Sequence, residues 1–508
     1  MNTLLLLLAA VLTAQATDSS PDRPVRFLVA AVTPADQTID PWLGTAIDTG
    51  LTWYLRRTGA TDAVPVSWRE LAIGSLGQNP PASAGQPYDA KHLAALLGAD
   101  IVVTGSCSSD SEQLTAQLEV HDLRSGQSRA CHAAGKNVSA LLSPLAKQVL
   151  VTAGIVLDQS AAGKINGPIC ASPSAIEYHA KALLAYRAGR HDQARYFSGQ
   201  ALRHDREYRD PRIILAMYRA GRGDVAGAVA SLQGVVRQAQ RANDQIDLAR
   251  AQGNIGLIYR QIRQNKIAQR YLELTAETAR HAGDLYTLAT VLNNLAQLQL
   301  AQNQPQAALD LFRRRQELLI KMGDRLAAGP NLTVIGTIHE RLGHFQQALK
   351  IHQQAVNRTR MTGPKSALAA ALHHLGLAYH NLNQFEPAVE YYTESIELSD
   401  PIQTVPTYNN LGLIHQQQHK YNQALDAFHQ ALSNLADSPD RHQKAVCLAN
   451  IASVHEELGQ YPQAADTLQQ ALEILQAVGH PQASVYQEKI DHLRAKTTST
   501  TSQPGFPG

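Results

Sequence analysis

Four cysteines in 508 residues are too few for a disulfide scaffold. Their spacing shows no C-x-x-C metal signature. An excess of one charge is also missing: 45 basic residues stand against 43 acidic ones, for a net charge of +2. That balance argues against nucleic acid, whose binding calls for a clustered basic face. Aromatic residues make up only 5% of the chain. The one notable apolar run, residues 4–12, is shorter than the roughly 20 residues a membrane-spanning helix needs.

Catalytic motifs are absent too. Gly163-Lys164 stands alone, without the G-x-x-x-x-G-K-[ST] loop that cradles phosphates. There is no G-x-S-x-G nucleophile elbow. Glu456-Glu457 reads as a solvated helix surface. The string from His339-Glu340 to His344 is not H-E-x-x-H, because its second histidine comes five residues after the first, off the helical face. His339, His415 and His455 occupy one repeat position, where Tyr259 and Tyr379 also sit, which argues for packing. His373, His374 and His380 have no second cluster to support a metal and read as groove or surface residues. The expectation is a protein that is not an enzyme, with no metal and no cofactor.

What the sequence does contain is repetition. A small residue recurs at Ala182, Ala216, Gly256, Ala296, Gly336, Gly376, Gly412 and Ala452, in steps of 34, 40, 40, 40, 40, 36 and 40. Twelve residues after each stands an alanine, from Ala194 to Ala464. A period of this length means stacked supersecondary units. Each unit reads as two amphipathic helices around a short polar turn. Within 409–432, for example, Leu411 and Ile414, then Ala424, Phe428 and Ala431, recur at helical spacing. The small residues mark where two helices must approach closely.

This pattern resembles the tetratricopeptide repeat: a small eighth residue, alanine at the twentieth, an aromatic near the twenty-fourth and a small twenty-seventh. Phe312, Tyr392 and Phe428 fill the aromatic slot; Arg315 departs from the last one. The common step of 40 is similar to the longer-repeat subgroup of kinesin light chains and several bacterial regulators. The resemblance implies an all-α right-handed solenoid of about eight helix pairs over 175–490, presenting a concave face to a protein partner.

Two residues before the small position stand Asn254, Asn294, Val334, His374, Asn410 and Asn450. Asparagine is a poor helix-interior residue, so its recurrence needs a reason. In the longer-repeat relatives an asparagine here clamps the backbone of an extended peptide, a task suited to a group that both donates and accepts. The alternative is hydrogen bonding between neighbouring repeats. Arg260, Gln297, Glu340, His380 and Gln416 would face the same groove.

Residues 24–157 follow a different grammar. Strand patterns at 25–32, 63–67, 100–106, 113–121 and 128–133 alternate with helix patterns at 42–57, 88–97 and 138–157, giving an α+β domain with a mixed sheet. A Pro/Gly/Ser-rich loop covers 77–86. Leu-Gly-Ala-Asp before a strand, Thr104-Gly105-Ser106, the run from Leu118 to Asp122 and the Ser125-Gly126 turn resemble the domain related to the N-terminal part of TolB. Cys107 and Cys131 lie at or near two strand ends, so a disulfide between them is open in an oxidising compartment. Residues 158–174 read as a linker and 497–508 as a disordered tail.

The apolar run 4–12 followed by Ala14-Gln15-Ala16 reads as a signal peptide over 1–16. The expectation is an exported, periplasmic adaptor or scaffold that binds protein through its repeats; secretion is the less favoured destination. A second reading is an envelope sensor whose first domain binds a ligand and signals through the repeats. The oligomeric state stays open.

Overall fold

The computed structural model describes residues 24–36, 38–58, 61–65, 69, 89–110 and 112–501, without the side chains of 498–501. The expected signal peptide and the 77–86 loop lie outside these residues.

Strand β1 (Val25–Val29) is almost wholly buried, its apolar residues in the core and its one charge, Arg26, held by Asp62 at 3.1 Å. It pairs in parallel with β3 (Thr61–Ala63) and β4 (Ile101–Ser109); the short β2 (Thr33–Pro34) also pairs with β4. From β4 the chain turns back through β5 (Leu114–Asp122) and β6 (Ser128–Gly135), an antiparallel meander. The sheet order is β3-β1-β4-β5-β6. Helix α1 (Trp42–Arg57), α2 (Ala90–Leu96) and α3 (Val138–Thr152) complete the layer. Phe27, Ile47, Leu51, Val103, Leu141 and Leu145 meet in one core.

Two expectations are corrected here. Cys107 and Cys131 are free. Cys107 faces Ala116 and Cys131 faces Leu118, so the whole of β5 lies between them. Two strand spacings amount to about 9.5 Å, beyond the roughly 7 Å that a disulfide can bridge. The stretch read as a linker contains α4 (Gln159–Asn166), capped by the Asp158 carboxylate accepting from the Ala161 N–H at 2.7 Å and anchored by the fully buried Ile165.

From Pro173 the chain is helical: α5 (Pro173–Arg187) and α6 (His191–His204), α7 (Arg209–Gly221) and α8 (Val225–Arg241), α9 (Gln245–Gln261) and α10 (Asn265–Ala282). The series continues with α11 (Leu285–Ala301) and α12 (Pro305–Lys321), α13 (Arg325–Arg341) and α14 (Phe345–Thr362), α15 (Lys365–Asn381) and α16 (Phe385–Glu397). Then come α17 (Pro401–Gln417) and α18 (Tyr421–Ser433), α19 (Arg441–Glu457) and α20 (Tyr461–Ala477), and the single α21 (Ala483–Thr501). An α+β sheet domain followed by a helical solenoid is thus the architecture. The tail read as disordered begins inside α21, which runs to Thr501 because Ile490 and Leu493 bury themselves on the last pair.

The punctuation is local chemistry. Several first helices begin at aspartate N-caps: Asp244 accepts from the Asp247 N–H, Asp284 from Thr287 and Asp324 from Ala327. Several turns inside the pairs contain a left-handed residue, Asn303, Asn383 or Gly343 among them. The recurring alanines and the small residues are buried at the helix contacts. At Gly412 the ring of Phe428 occupies the space a Cβ would need.

The chain divides into two compact units. Of the described residues, 24–294 belong to the first and 295–501 to the second. The α+β layer and the opening repeats therefore form one body, whose core runs from the sheet through Ile165 to Ile176, Ala180 and Tyr208.

Candidate binding surface

In the first unit, Asn254 on α9 and Asn294 on α11 line a cavity of about 430 Å³. Leu257, Tyr286 and Thr290 share its wall, and Arg56 and Pro65 of the α+β layer close one side. Asn254 turns its amide back on its own helix, donating to the Arg250 carbonyl at 2.9 Å. Arg260 donates to the Asn294 side-chain oxygen at 3.2 Å, joining two successive first helices. The mixture of apolar surface and amides suits a polypeptide segment.

Beside this cavity lies a charge network missing from the sequence reading. Arg57, at the end of α1, holds Asp244 at 3.1 Å and Asp247 at 2.9 Å. Arg209 holds the same two carboxylates at 3.0 and 3.2 Å. Arg250 bridges Asp247 at 2.9 Å and Asp210 at 2.7 Å. Burial alone would raise the Asp247 pKa, but Arg57, Arg250 and Arg209 together keep it below the ordinary carboxylate range. Arg56 adds a bridge to Asp284 at 2.7 Å. These arginines fasten the α+β layer to the repeats by charge as well as by core packing. The only hint in the sequence was the Arg56-Arg57 pair at a helix end; its partners lie almost two hundred residues away.

The second unit builds its wall differently. Asn450 donates to Asn409 at 3.3 Å, and Gln416 donates to Ser453 at 3.1 Å, both between successive first helices. Asn410 lies against the Tyr392 phenol, and Gln297 is exposed. His380 packs edge-on to Phe385. Glu340 and His374 are brought together, with a third residue between them, His352, that the sequence reading did not single out. His373 shares a 2.8 Å hydrogen bond with Thr407. Burial, reinforced by neighbouring imidazoles, pushes His373 and His374 down to about 4. Both are neutral at pH 7. Several ladder residues thus form seams between repeats.

The Tetratricopeptide repeat family matches residues 247–321, 329–400 and 403–477, and a second family, Anaphase-promoting complex subunit 5, matches 187–254. The Regulatory protein RapG of Bacillus subtilis (strain 168) is 29% identical over 132 residues, 25% of this chain and 36% of that protein. The chain spans about a third of the length of that curated relative. BtubC (BKLC) from P. vanneervenii is 16% identical at a TM-score of 0.36, covering 44% of this chain and 89% of its own. The APC/C hetero-tetramer Cut9-Hcn1 is 16% identical at a TM-score of 0.38, with coverage of 62% and 55%. Among the described residues no helix is long and apolar enough to cross a membrane. Between residues 247 and 477 the chain thus carries tetratricopeptide repeats.

Proposed function

We propose that the protein is a non-catalytic scaffold that holds a protein segment on the wall formed by its first helices. The observation that carries this reading is the cavity lined by Asn254, Leu257 and Asn294, where amide and apolar groups converge. The apolar side chains supply contact area, and the amides pair with the backbone of the bound segment. In the second unit Asn410, Asn450, Gln416, His380 and Gln297 offer amide and imidazole groups of their own to a bound segment. Kinesin-light-chain-like repeats of the longer kind and an N-terminal layer related to that of TolB belong to this reading. So does export to the periplasm, which rests on the apolar run 4–12 and Ala14-Gln15-Ala16.

Photo-crosslinkers at Asn294 and Asn410, compared with outward positions such as Gln269 and Gln354, test the proposal. Adducts concentrated at the two asparagines support it. Adducts confined to the outward positions, or none in periplasmic extract, sink it.

A second reading, a sensor, draws on the junction inside the first unit. Arg56 and Arg57 couple the α+β layer to Asp244, Asp247 and Asp284, so a ligand that shifts α1 also shifts the repeats. The likeness of 132 residues of the chain to a regulatory protein favours this variant. Hydrogen exchange at 245–290 that changes on adding a ligand to the first layer would support it; exchange unchanged across a ligand panel would count against it.

A further inference from the structure

We infer that Glu340, His352 and His374 form a binding site for a divalent transition-metal ion of the zinc class. The first observation comes from comparing repeats. Sixteen residues after the small position, the second helices place Ser198, Leu232, Leu272, Phe312, His352, Tyr392, Phe428 and Leu468. This is a core slot, and among its larger occupants one repeat alone fills it with an imidazole. His352 is fully enclosed, pressed against Gly336, where its ring takes the space a Cβ would need. Neither ring nitrogen of His352 has a hydrogen-bond partner. Native interiors rarely tolerate such a group without something to satisfy it.

Glu340 supplies the second observation. Its side chain is 9% exposed, and Oε1 has no hydrogen-bond partner. His352 Nε2 lies 3.7 Å away, outside hydrogen-bonding range. The equivalent carboxylate three repeats later, Glu456, is by contrast held by Lys489 at 3.2 Å and Lys496 at 3.1 Å. Glu340 faces imidazoles instead. His374 stacks parallel to His352, with ring centroids 5.6 Å apart, and its Nδ1 is also unpartnered.

Ligand atoms of the three residues all lie within 4.8 Å of one another. A tetrahedral ion with bonds of about 2.0–2.1 Å needs donors about 3.4 Å apart, so binding draws the side chains inward by roughly an ångström. Two imidazoles and one carboxylate select zinc, iron, nickel or copper over magnesium and calcium, which prefer oxygen. Three protein ligands leave one coordination position for water. The donors come from α13, α14 and α15, so the ion ties together three consecutive helices of neighbouring repeats.

The test uses the full chain, freed of any affinity tag and stripped of metal. Zinc is titrated against a chromophoric chelator, cobalt is followed by its visible d–d bands, and magnesium serves as the negative control. We expect one tight equivalent of zinc, cobalt bands of tetrahedral intensity and a rise in Tm. H374Q and H352L should each weaken binding by at least the roughly 10–100-fold that loss of an outer-shell partner costs. Leucine fills the equivalent slot in three other repeats, so H352L is expected to fold; circular dichroism checks this. H442Q, at an exposed ring pair elsewhere, should leave binding unchanged. No stoichiometric zinc on the folded chain, or zinc retained by H352L and H374Q, overturns the site.

Discussion

The two units hold their repeats together with different chemistry. The first buries arginines against aspartates at its junction; the second leaves its ion pairs, such as Arg360–Glu394, near the surface and uses amides, hydroxyls and neutral histidines along its seams. A buried charge network is directional and intolerant of losing a member, because each survivor is left desolvated. Neutral seams are individually weaker, and each can be lost with less effect on the rest. The contrast suggests that the first unit is made to stay in one arrangement, whereas the second can adjust repeat by repeat, as a linear stack permits.

The sharpest way to break this comparison is Arg57→Ala. It strips the buried Asp244 and Asp247 of one of their cations, and removing one member of a buried pair costs about 3–5 kcal/mol. Denaturant unfolding should show the loss, and hydrogen exchange should place it before residue 295. Equal loss of protection in 295–501 would erase the distinction.

Acid should act in the reverse order. His373 and His374 titrate near 4 in the fold, against an ordinary value near 6.5. Between those values the unfolded chain binds more protons than the folded one, so stability falls as pH drops from about 6.5 to 4. Each group contributes at most on the order of 3 kcal/mol. His179, in the first unit, behaves likewise, but among the described residues of that unit no other histidine is pushed down to about 4. Asp247 has a lowered carboxyl pKa, so its contribution is intact above the unfolded value near 3.9 and is lost only as pH falls below it. Exchange at pH 5 should therefore loosen 365–381 before 245–261.

Gly412→Ala probes packing in the second unit. The added methyl meets the rigid Phe428 ring, and overpacking of this kind costs about 1–3 kcal/mol. Gly256→Ala, its counterpart in the first unit, meets the adaptable end of Leu272 and should cost less. Thermal melts of the two variants would rank them. The smallest effect is expected for Asn254→Ala: its amide bonds only its own helix, and alanine is the better helix former, so stability should change by no more than about 0.5 kcal/mol. If that variant nevertheless abolishes crosslinking to partner, Asn254 is there for binding.

The repeat register was legible because it is a packing constraint repeated eight times; Ala228, Ala268, Ala308 and Ala348 all sit at 0% exposure where the spacing put them. Strand β1 and the β4–β6 meander were legible from their apolar patterning, whereas β3 falls at Thr61–Ala63 and not at 63–67, and the two-residue β2 is too short to leave a pattern. The Arg57 network was hidden because its members are far apart in sequence, and a lone arginine at a helix end looks like any solvated terminus. The Glu340–His352–His374 grouping was hidden because its residues come from three helices at spacings of 12 and 22, which no short motif captures. The asparagine ladder was visible as a pattern, but which way each amide turns depends on neighbours that the linear chain does not reveal.

Helix α21 has a bearing on solution behaviour. A stack of like modules resembles a growing one-dimensional crystal, in which each exposed face templates the next. By laying Ile490 and Leu493 on the final pair, while Lys489 and Lys496 engage Glu456, α21 poisons that growth face with a polar outer surface. A chain cut before Ala483 would bare Leu468, Leu472 and Leu475, and because the first repeats are already covered by the α+β layer it should pair through that one face, forming a dimer with rising concentration where the full chain does not.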